Sequence, residues 1–267
     1  MLKIHQHILS PACTTLRDRQ CVRASSAGFT LIELLVVIAI IAILAALTTP
    51  MLASVQEKAK AVGCLSNQRN IGGALNAYSM SHNGRLIPIE DDFRGGTGWA
   101  YVLAHDDYIP APIDPAHTKI VHTMTPFRCP SGVNEVNSVG ANITSRDDPD
   151  GGKATAFSDP SSRDYVHCWY GINGSTWGAQ YWPYVQSPLD DGTRTHPVMD
   201  QVDGPSRTPM IYDGWWTHNG KDERIHARHH GGKNTNLLFF DGHVRTLPTF
   251  ELPSVRDPGG ELIRWRY

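Results

Sequence analysis

From Leu34 to Leu47 the chain has no polar side chain. With Phe29-Thr30-Leu31-Ile32-Glu33 before it and Thr48-Thr49 after it, the stretch is 21 residues long. About 20 apolar residues suffice for a helix to span a bilayer. Residues 1–28 carry Lys3, Arg17, Arg19 and Arg23 against Asp18, a net +3. A secretory signal places its apolar core before the small residues of the cleavage site. Here the order is reversed, because Ser25-Ser26-Ala27-Gly28 precede the apolar run. The basic leader is expected to stay cytoplasmic and the rest to face outward. Glu33 is the oddity, since a carboxylate at the start of a membrane span is costly without a partner.

Pro50 lacks the N–H of a helix interior and is expected to kink or loosen the helix. A helical pattern resumes beyond it. Leu52, Val55, Ala59 and Val62 recur at three- and four-residue steps, and Ile71, Leu75 and Tyr78 continue the face after a slip near Gly63. The pattern predicts one helix from Phe29 to about Met80, half buried beyond Pro50 against a globular domain. Gly63, Gly72 and Gly73 each weaken it by roughly 1 kcal/mol relative to Ala. They mark either close approach of a sheet or fraying.

The segment Gly28-Phe29-Thr30-Leu31-Ile32-Glu33-Leu34-Leu35-Val36-Val37 resembles the cleavage and methylation motif of type IV pilins and type II secretion pseudopilins. The resemblance implies cleavage between Gly28 and Phe29 by a prepilin peptidase, which also N-methylates Phe29. Glu33 then falls where that family keeps its glutamate, and Pro50 where it often has a helix-kinking proline. In a filament, the Phe29 amine and a neighbour's Glu33 would neutralise each other. A mismatched subunit would bury an unpaired charge, so the pair sets register. The segment Cys64-Leu65-Ser66-Asn67-Gln68-Arg69-Asn70-Ile71-Gly72-Gly73-Ala74-Leu75-Asn76-Ala77-Tyr78 resembles a narrower group, the secretion-pseudopilin-G-like proteins of planctomycetes and their relatives.

Residues 83–267 contain many turns and short runs. The chain has 24 Gly and 18 Pro, which suits a loop-rich globular domain. Arg85–Ile89 suggests a short strand, and Trp99–Leu103 a short helix or strand. Met210-Ile211-Tyr212 suggests another strand, and 140–163 a long loop. Asn236–Phe240 and His243–Leu247 flank Asp241-Gly242, the signature of a hairpin with a two-residue turn. Phe127-Arg128-Cys129-Pro130 and Tyr170-Gly171-Ile172-Asn173 resemble segments of the narrower group. So does the 228–247 motif with His229, His230, Asn236, Asp241 and Gly242, which resembles the processing-associated domain closing many of its members. That domain has nine residues between His and Asp-Gly. Here eleven follow His229 and ten follow His230.

Composition narrows the chemistry. The net charge is −2, and −5 from Phe29 onward, so no nucleic-acid partner is expected. Five cysteines are too few for a disulfide scaffold. Cys13 and Cys21 would leave with the leader. The resemblance makes Cys64–Cys129 the candidate disulfide, since both fall in family-like segments, and three buried thiols with Cys168 are the competing reading. His218, His226, His229, His230 and His243 raise a transition-metal site, against turn and core histidines. Asp91-Asp92, Asp147-Asp148 and Asp190-Asp191 raise calcium, which the resemblance also brings in, against solvated loop carboxylates. Trp169, Trp177, Trp182 and Trp215-Trp216 form either a sugar-stacking platform or a core. The chain has no nucleophile elbow, zinc-protease helix motif or phosphate-binding glycine loop. No enzymatic activity is expected, and no cofactor is required.

The expected protein is α+β and pilin-like. A leader at 1–28 precedes a helix at 29–82, transmembrane at 29–49, packed on a mainly antiparallel domain at 83–267 with long loops. The resemblance implies a structural pseudopilin held in the bacterial inner membrane with its C-terminal domain outside. Its partners would be the prepilin peptidase and other pseudopilin subunits. The alternative is an exported glycan-binding module that uses the helix only as an anchor.

Overall fold

A computed structural model describes residues 29–91, 97–115, 124–137, 143–158, 164–175, 183–185, 197–216, 222–255 and 263–265. Gly28, Asp92, Trp177, Trp182, Asp190, Asp191 and His218 lie outside them. The chain divides into two units, residues 1–49 and 50–267.

The first unit holds the apolar half of helix α1 (Leu31–Ser81). The helix is long and apolar enough to cross a membrane. Leu31, Ile32, Leu34, Leu35, Ile38, Ile41 and Leu44 are all exposed on it. Such a surface is stable in lipid or against other apolar helices, not in water. Helical assignment continues through Pro50. Just before it, Thr48 and Thr49 turn their hydroxyls back onto the Leu44 and Ala45 carbonyls. Such back-bonding removes the polar cost of the hydroxyls in an apolar setting.

In the second unit, α1 from Pro50 onward packs on antiparallel sheets. Buried positions on it are Ala61, Cys64, Gln68, Ile71, Gly72, Ala74, Leu75, Tyr78 and Ser79. This corrects the expected face. Leu52, Val55 and Val62 are exposed, and burial begins only at Ala61. The apolar spacing at 52–62 continues the helical period without a domain to face.

The centre of the domain is a four-stranded sheet in the order β10-β9-β8-β5. These strands are β5 (Tyr170–Ile172), β8 (Pro209–Asp213), β9 (Asn234–Phe239) and β10 (Val244–Pro248). Every pairing in it is antiparallel. Strand β9 alternates between two cores. Leu238 and the following Phe240 join the core that contains α1, with Ile71, Leu75, Ile211 and Trp99. Leu237 and Phe239 face Tyr212, Leu252, Val255 and Trp265 on the other side. Smaller pairs surround the sheet. They are β1 (Glu90–Asp91) with β2 (Thr97–Gly98), β3 (Thr155–Ser158) with β4 (Tyr165–Cys168), and β6 (Gly174–Ser175) with β7 (Tyr184–Val185). The last pair is parallel.

Trp99–Leu103 takes the helical one of its two readings, within α2 (Trp99–His105). Other local expectations change. Arg85–Ile89 is not a strand, since only Arg85 bridges, to Val198. Segment 140–163 is not all loop, because it contains β3 and a 3-10 turn at Pro149–Gly152. The terminal hairpin is also built differently. Only Gly242 of the Asp-Gly pair has positive φ, at 87°. Gly242 N–H bonds the Phe239 carbonyl at 2.9 Å, and Phe239 N–H bonds the His243 carbonyl at 2.9 Å. Asp241 accepts the His243 N–H at 3.1 Å and keeps a negative φ, so the loop is longer than two residues.

Candidate functional site

In the first unit, the site is the N-terminal turn of α1. Thr30 N–H and Oγ1 both donate to Glu33 Oε2, at 2.8 and 2.7 Å. Glu33 N–H donates back to Thr30 Oγ1 at 3.3 Å. This reciprocal arrangement is a capping box, which satisfies free N–H groups at a helix start. The carboxylate also sits where the helix dipole favours negative charge. Phe29 is 71% exposed one residue upstream. The turn thus places a carboxylate and the exposed Phe29 at the tip of an apolar rod.

In the second unit, the family-like segments meet in one buried centre. Cys64 on α1 and Cys129 form a disulfide, with their Cα atoms 4.9 Å apart. Both are fully buried, and Cys168 is a buried free thiol whose pKa is raised by burial. Asn67 Nδ2 donates to the Arg128 carbonyl at 2.6 Å. Gln68 Nε2 donates to the Asn236 carbonyl at 3.1 Å and lies 3.4 Å from Asp213 Oδ1. Gly72 lies against Leu238, where a Cβ would approach a Leu238 methyl to 2.6 Å. The spacing 64, 67, 68, 71, 72, 75 is thus one helix face that meets the Cys-Pro loop and β9.

Asp213 ends β8 inside this centre. Burial opposes its ionisation, but His229, Arg228 and the Asn236 N–H together hold its pKa below the usual carboxylate value. The Asn236 N–H donates to Oδ2 at 2.7 Å, and His229 Nε2 lies 2.9 Å from the same oxygen. His229 Nε2 is also 3.9 Å from Cys129 Sγ. Arg228 donates to the Trp169 and Gly151 carbonyls at 2.8 and 3.0 Å, and burial lowers its pKa. Arg128 lies over the Trp169 ring at 4.6 Å, with its pKa lowered to about 10 by burial and then by Arg228.

The other expected site residues fall elsewhere. His226 is buried beside Gly151 and Gly152, with its pKa lowered to about 3 by burial and then by Arg228. His243 stacks on Phe239 at 4.2 Å and bonds Asp241. His230 is exposed in a left-handed turn with Gly231 and Gly232, φ 52°, 69° and 77°. Gly231 N–H in that turn donates to Glu57 of α1. Of the described histidines, His229 alone joins the Asp213 and cysteine cluster. Asp148 accepts from Thr144 and Asp150 N–H groups, which makes it a turn brace. Of the two readings of the tryptophans, the core one holds for those that are described. Trp169 and Trp215 are buried, and Trp216 packs partly buried against the core. Sequence reasoning missed Asp213 and Gln68. A lone aspartate at a strand end and a glutamine in a polar-looking helix segment give no local signal.

Residues 23–49 match the family of the prokaryotic N-terminal methylation motif. The chain carries a prepilin-type methylation motif. The match covers residues 23–28 and the apolar half of α1, and none of the sheet domain. No curated protein and no solved structure is significantly similar to the chain. A chain with this motif and an apolar N-terminal helix is consistent with a membrane-anchored, exported protein.

Proposed function

We propose that the chain is a structural, pseudopilin-like subunit of a type II secretion or type IV pilus-like filament. Residues 1–28 are its leader, 29–82 its assembly helix and 83–267 its exported domain. A prepilin peptidase cleaves between Gly28 and Phe29 and methylates the new amine. The mature chain rests in the inner membrane through 29–49 and joins other subunits by the same helix. The observation carrying this reading is the methylation motif ending in an apolar helix whose surface is bare. The Thr30–Glu33 capping box supports it. It holds the carboxylate at the helix tip, where a neighbour's cationic amine can reach it. The helix-closing and hairpin segments favour the secretion-pseudopilin-G-like group. Their residues account for the joint between α1 and the sheet, and the reading requires no cofactor.

The test is the intact mass and N-terminal sequence of the chain recovered from membranes of cells with an active prepilin peptidase. The expected species begins at N-methylated Phe29, and Gly28→Val abolishes it. A chain that still begins at Met1 overturns the reading and leaves an anchored domain.

A further inference from the structure

We propose that Cys64, Cys129, His229 and Asp213 form a zinc site when the two cysteines are thiols. Their donor atoms, two sulfurs, one imidazole nitrogen and one carboxylate oxygen, all lie within 4.8 Å of one another. All four residues are fully buried. They come from four places in the fold: α1, the Cys-Pro loop, the end of β8 and the segment before β9. A disulfide needs no carboxylate or imidazole beside it. Asn236, Arg228 and His229 hold the Asp213 carboxylate in place, and none of those contacts requires a pair of cysteines beside it. Thiolate, imidazole and carboxylate are the donors zinc takes, in tetrahedral sets of four. Calcium and magnesium prefer oxygen donors only. At metal–ligand distances of about 2.0–2.3 Å, neighbouring donors lie roughly 3.3–3.8 Å apart. His229 Nε2 is 3.9 Å from Cys129 Sγ and 2.9 Å from Asp213 Oδ2, close to that spacing. Once reduced, the two sulfurs reach that spacing by rotation about their Cα–Cβ bonds. Two thiolates and Asp213 leave a net negative site around a divalent ion, and buried Arg228 offsets that charge at Asp213.

The two states exclude each other. A dithiol reductant gives two electrons and two protons to the Cys64–Cys129 bond and becomes a disulfide itself. Zinc then displaces the two thiol protons into solvent and takes both sulfurs. Oxidation by a disulfide donor reverses the sequence and expels the ion. The site is independent of the filament reading.

The experiment uses the full chain in detergent with Cys13→Ser and Cys21→Ser, so that the leader contributes no thiol. Oxidised and phosphine-reduced samples are titrated with cobalt(II), then with zinc. The reduced chain is expected to bind one cobalt per chain. It should show intense tetrahedral d–d absorption and a thiolate-to-cobalt charge-transfer band, both erased by one equivalent of zinc. The oxidised chain shows neither. His229→Gln weakens binding by more than the roughly 10–100-fold that loss of an outer-shell partner costs. Cys168→Ser leaves it unchanged. If reduction alone loosens the fold, zinc restores the near-UV circular dichroism. A reduced chain with no thiolate-to-cobalt band, folded or not, overturns the proposal. So does binding that survives Cys129→Ser.

Discussion

His226 shows how one buried ring ties stability to pH. Its pKa in the folded chain is lowered to about 3, by burial first and by Arg228 second. Unfolded, a histidine titrates near 6.5. Between these values the unfolded chain holds a proton that the folded chain refuses, so stability falls as pH falls. The contribution is complete above about pH 6.5 and is eroded steadily toward pH 3. From pH 7 to pH 5 the loss is roughly 2 kcal/mol for this one group. His226→Gln should remove that much of the difference between urea midpoints at the two pH values. An unchanged difference would mean that the ring is not held neutral. Asp213 acts in the same direction at lower pH. Its folded pKa lies below the unfolded value, so its contribution is lost as acid finally protonates it.

At the scale of elements, the joint between α1 and β9 separates two neighbouring glycines. Gly72 is buried, and a side chain there would meet Leu238. Gly73 is exposed, with nothing within 4 Å of the place a Cβ would occupy. Gly72→Ile is expected to destabilise the domain by about 1–3 kcal/mol through overpacking. Gly73→Ala is expected to stabilise it by up to about 1 kcal/mol through helix propensity. Opposite shifts in the thermal midpoint check the pair, and shifts of one sign would refute the packing assigned to Gly72.

The same joint shows which parts of the architecture were legible in the sequence. The helix was readable because a run without polar side chains and a 3.6-residue period are local signals. The fold class followed from turn-rich segments after a long helix. The start of the buried face at Ala61 was not readable. Leu52, Val55 and Val62 keep the same period although they are exposed. The centre was half readable. Cys64, Cys129 and Asn236 stand in segments that resemble known ones, whereas Asp213 and Gln68 acquire meaning only through partners 16 to 168 residues away. The hairpin turn was read one step too short, because Asp241 accepts the His243 N–H within the loop instead of turning left-handed.

At the scale of the whole molecule, the two units differ in what they need. Residues 50–267 contain both apolar cores, the sheet and the disulfide. A chain starting at Pro50 should therefore fold alone. Its near-UV circular dichroism should match that of the full chain, and its thermal midpoint should lie within a few degrees of it. A molten spectrum would show that the apolar half of α1 is part of the folding unit. The disulfide closes a separation of 65 residues. Such loops are typically stabilised by about 2–4 kcal/mol, chiefly by restricting the unfolded chain. Serine at both Cys64 and Cys129 should lower the urea midpoint accordingly.

Gln68 on the helix and Asn236 on β9 touch although 168 residues separate them. Between them runs nearly all of the sheet domain. The helix comes first in the chain, yet its polar seat is supplied almost last. Contacts so distant along the chain make for slow folding, since the loop must close before any of its reward arrives. Until β9 docks, Ile71, Leu75 and Gln68 face water. A chain that emerges N-terminus first therefore presents a half-covered helix, and the face stays open until the last strands arrive.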